Sequence, residues 1–166
     1  MRRSIFAAIG IASTIGGYAR ANDCSNPHDP RYVYAAEVVR VYDGDTIYMD
    51  IDLGFRMWLR EEPLRLWGID TPEVRGDDKE AGIAVRDLVA SWIPEGTETI
   101  IRTLKDKDGE DRTGSFHRYL AIICPEGWSE SVNARLLREG HAQISARSAK
   151  DRATIERMFL TRETVR

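Results

Sequence analysis

The sequence predicts an α+β domain: a small closed β-barrel with about three helices packed on it. Three observations carry that expectation. Five short segments have strand composition or strand alternation. A segment of helical period interrupts them after the third, and two more helical segments end the chain. The length, 166 residues, allows one core of this kind and not two. A content of 42% hydrophobic and 31% charged residues fits a globular chain rather than a disordered one. The body of the chain has no uncharged apolar run of about 18 residues, which excludes a multi-span membrane protein.

The elements follow in order. Tyr32 to Val41 is rich in Val, Tyr and Ala, with Val33, Ala35 and Val39 in rough alternation, and reads as a strand. Asp43-Gly44-Asp45 interrupts it as a turn. Thr46 to Leu53 alternates, with Ile47, Met49, Ile51 and Leu53 on one face and Tyr48, Asp50 and Asp52 on the other. Gly54 turns the chain, and Phe55 to Ile69 is a strand pair or one long bent strand, broken by Pro63. Asp78 to Trp92 is a helix whose apolar stripe is Ala81, Ala84, Val85, Leu88, Val89 and Trp92. Pro94-Glu95-Gly96 ends it, and Thr97 to Leu104 is a strand. Lys105 to Ser115 is a charged loop, and Phe116 to Cys124 is a strong strand closed by Pro125-Glu126-Gly127. Ser129 to Glu139 is a short helix with Val132, Leu136 and Leu137 inward and Gly140 as its stop. Lys150 to Arg166 is a last helix with Ile155, Met158 and Phe159 on one side.

The first 21 residues have the pattern of an export leader. Met1-Arg2-Arg3 is basic, Ser4 to Gly17 is uncharged and mostly apolar, and Ala19-Arg20-Ala21 is a small-x-small cleavage site. Cleavage there leaves an arm at residues 22–34 and a domain at 35–166, in a secreted or periplasmic protein with no further tie to the membrane. The leader holds three arginines and no acid, so the remainder has 21 basic and 27 acidic residues, a net charge of −6. A chain so acidic does not grip a polyanion by bulk attraction; local arginines and a bound cation must do that work. Two cysteines are too few for a disulfide scaffold, and His28, His117 and His141 stand alone, without zinc-ligand spacing. In an oxidising compartment Cys24 and Cys124 could form a bridge closing a loop of about 100 residues, worth about 4–5 kcal/mol in the chain-entropy view. Two free thiols are the alternative.

Three segments carry chemistry. Asp43-Gly44-Asp45-Thr46 sets two carboxylates on a tight turn, which suits a hard divalent cation and equally suits a plain hairpin with solvated acids. Leu64 to Glu73 places Arg65, Trp67 and Ile69 on one strand face and Leu66, Gly68 and Asp70 on the other; Pro72 then turns the chain and presents Glu73. Arg118-Tyr119-Leu120-Ala121 opens an apolar strand with an arginine, which alone reads as an edge charge. Taken together they match the needs of phosphodiester cleavage in water. Asp45 and Asp70 are anions for a cation, Glu73 is a base for water, and Arg65 and Arg118 are planar two-pronged donors for phosphate oxygens. Asp106-Lys107-Asp108-Gly109-Glu110-Asp111 imitates a calcium loop, but its glycine is at the fourth position and its twelfth residue is His117, so it reads as a solvated loop.

With these segments, Ser131-Val132-Asn133 and Leu136 to Ala142 complete an ordered set running from about Ala35 to Gln143 that resembles the staphylococcal (micrococcal) nuclease family. The resemblance implies an OB-fold barrel and a calcium-dependent endonuclease acting on DNA and RNA to leave 3′-phosphate and 5′-hydroxyl ends, with no stable protein partner. It implies calcium on the carboxylates of Asp45 and Asp70 and the carbonyl of Thr71. It gives Glu73 the attacking water, and it gives Arg65 and Arg118 the scissile phosphate, with Asp43 behind the ligands. The residues themselves leave magnesium and manganese open. Departures from the family pattern are His117 before the second arginine, Phe116 where a tyrosine often sits, and Gln143 to Ser148 in place of nucleotide-packing tyrosines. Stacking is worth about 1–3 kcal/mol per base, so these departures imply weaker substrate binding. The rival is a non-catalytic OB-fold module that binds single strands; loss of Arg65, Asp70 or Glu73 would favour it, and all three are present.

Overall fold

A computed structural model describes residues 32–104 and 118–160. The expected leader, Cys24, the segment Lys105–Ser115 expected as a loop, Phe116 and His117, and residues 161–166 lie outside the described residues. The chain runs through β1 (Val33–Asp43), β2 (Thr46–Gly54), β3 (Met57–Leu66), β4 (Ile69–Asp70), α1 (Lys79–Trp92) and β5 (Glu98–Thr103). It ends with β6 (Tyr119–Pro125), α2 (Val132–Arg138), β7 (Gln143–Ile144) and α3 (Ala149–Phe159). Five strands close a barrel in the order β1-β2-β3-β6-β5, and β4 pairs with β7 in a separate two-stranded ladder. The β3–β6 pairing is parallel and the other barrel pairings are antiparallel. This is an α+β, OB-like barrel with three helices, as the pattern of elements predicts.

Alternation builds the barrel interior. Ile47, Met49 and Ile51 of β2 are buried, each worth about 1.5–3 kcal/mol in removed apolar surface. Leu53, expected on the same face, is exposed because the β2–β3 hairpin runs on past the barrel to a tip where Phe55 is 95% exposed. β3 is one strand, not two. Pro63 stands opposite Tyr48, just before β3 takes β6 as its second neighbour at Leu64, so its missing N–H interrupts nothing. The strand bends instead at Glu61, whose φ is 52°. There the Asp50 carboxylate accepts the Glu61 N–H at 2.8 Å and the Arg60 guanidinium at 2.5 Å, replacing the interrupted ladder.

β3 ends at Leu66, and the alternation expected beyond it fails. Gly68, with φ of 81°, turns the chain, and Leu66, Trp67 and Ile69 are all buried while Arg65 stays partly open. β6 is buried on both faces. Ala121 and Ile123 enter the barrel core, whereas Leu120, Ile122 and Cys124 join Trp67, Ala134, Ile155 and Phe159 in a second cluster under α2 and α3. Cys124 is disulfide-bonded, and the other cysteine of the chain lies outside the described residues. No described helix is long and apolar enough to cross a membrane.

The helices depart from expectation in phase and ends. α1 buries Gly82, Val85 and Val89, with Trp92 partly covered; Ala81 and Ala84 of the expected stripe are exposed. α2 begins at Val132, not Ser129, because the Ser131 hydroxyl caps it by accepting the Ala134 N–H at 3.0 Å. α3 begins after a second serine cap, Ser148, whose hydroxyl accepts the Asp151 N–H at 3.1 Å.

Candidate active site

Asp45 is the centre of the site. It ends the tight turn between β1 and β2, its N–H held by the Asp43 carboxylate at 3.1 Å, and it is 3% exposed. The register pairs Thr46 with Arg65 across β2 and β3, which delivers the guanidinium to Asp45. Arg65 Nη1 donates to Asp45 Oδ1 at 2.6 Å, and its Nη2 forms a second short ion pair with the Asp70 carboxylate. Thr71 closes the other side, donating its N–H to Asp45 Oδ2 at 3.1 Å and its hydroxyl at 3.3 Å. The parallel pairing of Arg65 with Leu120 brings Arg118, just ahead of β6, to the same end of the barrel. Arg118 Nη1 donates to the Thr46 hydroxyl at 2.8 Å, and that hydroxyl donates to Asp45 Oδ1 at 3.3 Å. Asp45, Arg65, Asp70, Thr71 and Arg118 thus come together through one connected set of hydrogen bonds.

Burial pushes the Asp45 carboxyl up to about 6, with Asp43 and Asp70 pushing the same way, while the Arg65 guanidinium and the Thr71 N–H pull it down. At neutral pH it is ionised, as its ring of donors requires. A buried carboxylate flanked by two more acids, with one guanidinium against it, has hard oxygens and surplus negative charge. That donor chemistry suits a hard divalent cation, which Asp45 and Asp70 would hold. Among the described residues no group of three or more His, Cys, Asp and Glu side chains is arranged to hold a metal ion. The arrangement is a two-carboxylate one, and Thr71 enters it through main-chain and hydroxyl donors to Asp45.

Glu73 arrives by backbone. It is exposed and two residues beyond Thr71, about 7 Å of chain at most. None of the described polar contacts ties its carboxylate to Arg65 or Arg118. Its peptide is fixed by α1. A Cβ on Gly82 would lie 2.2 Å from the Glu73 carbonyl oxygen, so only glycine lets the helix come this close. Three residues on, Val85 reaches the acidic turn itself; a Cβ on Gly44 would lie 2.7 Å from Val85 Cγ1 and from Thr71 Oγ1. One face of α1 therefore sets both the Asp45 turn and the Glu73 peptide. A glycine inside a helical pattern was the available sign of such an approach.

Sequence reasoning included Thr46 in the acidic turn but gave it no role, and its hydroxyl links Arg118 to Asp45. Arg147 was missed; it lines a cavity of about 300 Å³ running from Arg65 and Asp70 past Trp67 and Leu120 to Ile155 of α3. Nothing in the spacing of Arg147 marks it. The Ser131-Val132-Asn133 segment has a structural role here: the buried Asn133 amide donates to the Trp67 and Ala121 carbonyls at 3.0 and 3.2 Å and accepts the Ile123 N–H at 3.2 Å. The fold and site together define an OB-like barrel carrying an arginine-bridged acid pair at one end. The chain matches no protein-family model and no curated protein sequence.

Proposed function

We propose that the chain is an exported, divalent-cation-dependent endonuclease that hydrolyses phosphodiester bonds of DNA and RNA to 3′-phosphate products. The observation that carries this reading is Arg65 bridging Asp45 and Asp70, with Arg118 one hydroxyl away. Two planar cations and two carboxylates on one barrel end suit a phosphodiester: the arginines fit its oxygens, and the acids suit the cation it needs. Calcium on Asp45, Asp70 and the Thr71 carbonyl would supply neutralisation of the non-bridging oxygens. Glu73 accepts a proton from the attacking water as its oxygen bonds to phosphorus. Arg65 and Arg118 hold the phosphoryl oxygens as charge builds, and the bond from phosphorus to the 5′ oxygen breaks. That oxygen leaves as a 5′-hydroxyl after taking a proton from water, with Arg118 hydrogen-bonded to it. Export is supported by the leader pattern and by the disulfide-bonded Cys124.

The test is digestion of plasmid and single-stranded DNA with calcium, with chelator, and with a Glu73→Gln variant. Wild type should cut both, chelator should stop it, and Glu73→Gln should be slower by about 10²–10⁴-fold. Equal rates for the two proteins would remove Glu73 as the base. Tight binding without cleavage under any divalent ion would establish the single-strand-binding module instead.

A further inference from the structure

A groove of opposite charge lies beside the acidic site. Arg40 and Tyr42 of β1, Arg75 after Glu73, and Lys79 and Arg86 of α1 line an open cleft of about 470 Å³, floored by Val41, Val74 and Ile83. Four of its lining residues are cations and none is an acid, in a chain whose net charge is −3. Its walls continue directly from the site: Tyr42 precedes the Asp43-Gly44-Asp45 turn, and Val74 and Arg75 follow Glu73.

The cations are held differently. The Arg40 guanidinium lies 3.5 Å from the Tyr48 ring centroid and 5.8 Å from that of Tyr42, so its plane is fixed without a carboxylate. Arg86 is paired with Asp87 at 2.7 Å, which offsets part of its charge. Arg40, Arg75 and Lys79 are exposed, and the Tyr42 ring is 38% exposed at the groove edge. A plane of guanidinium donors, an ammonium on a flexible stem, and an open aromatic ring are the parts that grip a phosphodiester backbone and stack a base.

We propose that this groove binds the nucleotides flanking the scissile phosphate, so that a long strand is held across α1 while it is cut at the acidic site. The proposal rests on the nuclease reading and adds to it a subsite used by long substrates and not by short ones. Each single-strand phosphate contact adds about 0.7 to the salt slope of binding.

The experiment compares wild type with an Arg75→Gln/Lys79→Gln variant and with Arg40→Gln, on a thymidine dinucleotide and on a single strand of about 20 nucleotides, at several salt concentrations with calcium. For the double variant, the expected result is a roughly tenfold rise in KM on the long strand, a salt slope of kcat/KM shallower by about 1.4, and unchanged dinucleotide cleavage. An unchanged long-strand KM, or equal losses on both substrates, overturns the proposal. Should wild type cut neither substrate, the nuclease reading fails instead, and binding of the long strand then decides the groove separately. Weaker binding by the double variant supports it, and equal binding ends it. Arg40→Gln, which leaves α1 untouched, guards against a local folding defect in the double variant.

Discussion

Arg65 does with one guanidinium what would otherwise take two cations. Its Nη1 meets the buried Asp45 and its Nη2 the largely exposed Asp70, so the fork fixes the distance between the two carboxylates. A lysine keeps the charge but presents one point donor and cannot span both acids. Arg65→Lys should therefore leave the melting temperature near that of wild type while kcat falls by about 10²–10³-fold, or about 3–4 kcal/mol of transition-state stabilisation. Steady-state kinetics beside thermal melts check this, and full activity in the lysine variant would show that a single charge suffices. At this scale the grouping of Asp45, Arg65, Asp70 and Arg118 was legible, because acids and planar donors at neighbouring strand ends show by residue type, whereas the Glu73 carboxylate grouped with them makes none of the described contacts to that set. The role of Thr46 was not legible: a hydroxyl that relays one arginine to one acid leaves no mark in the sequence.

Among the elements, α1 has the most direct hold on the site. Within an ordinary helix Gly→Ala stabilises by about 0.8–1 kcal/mol. At Gly82 the added methyl would stand 2.2 Å from the Glu73 carbonyl oxygen, so the sign reverses. Gly82→Ala should cost about 1–3 kcal/mol of stability through overpacking. It should also displace Glu73 by enough to lower kcat of the proposed nuclease by about 10²-fold, while calcium affinity at the proposed ligands Asp45 and Asp70 is kept. Calorimetric calcium titration beside kinetics separates this from general damage, because a merely unfolded fraction would lower both together. The helix itself was legible from its period, but its buried face was placed off line: glycine has no apolar side chain to count, so the pattern gave the weight to Ala81 and Ala84. β4 and β7 were missed because two-residue strands carry no alternation, and their pairing depends on the turn at Gly68.

In the whole molecule, each helix braces a stretch that carries or adjoins the acids. α1 holds the Asp45 turn and the Glu73 peptide. α3 packs Ile155 and Phe159 against Trp67 and Gly68, the turn between Arg65 and Asp70. α2 inserts Asn133, fully buried, between that turn and β6. The barrel was legible from strand alternation, yet nothing in the pattern told which helix would serve which loop, since that depends on long-range register. Asn133 tests the arrangement as a unit. Its amide makes three hydrogen bonds to main-chain groups at Trp67, Ala121 and Ile123. Asn133→Ala takes the amide away from the Trp67 carbonyl and the Ile123 N–H, at about 1–3 kcal/mol for each one orphaned, while the Ala121 carbonyl keeps the Trp67 N–H at 2.8 Å, so a total loss near 3 kcal/mol is expected after relaxation. Asn133→Asp keeps the acceptor for Ile123 but turns a carboxylate toward two carbonyl oxygens in a buried site, and should cost at least as much. Denaturant melts of both variants check the order. If Asn133→Asp proved more stable than Asn133→Ala, the two donated bonds would not be what ties α2 to the loop beside the acids.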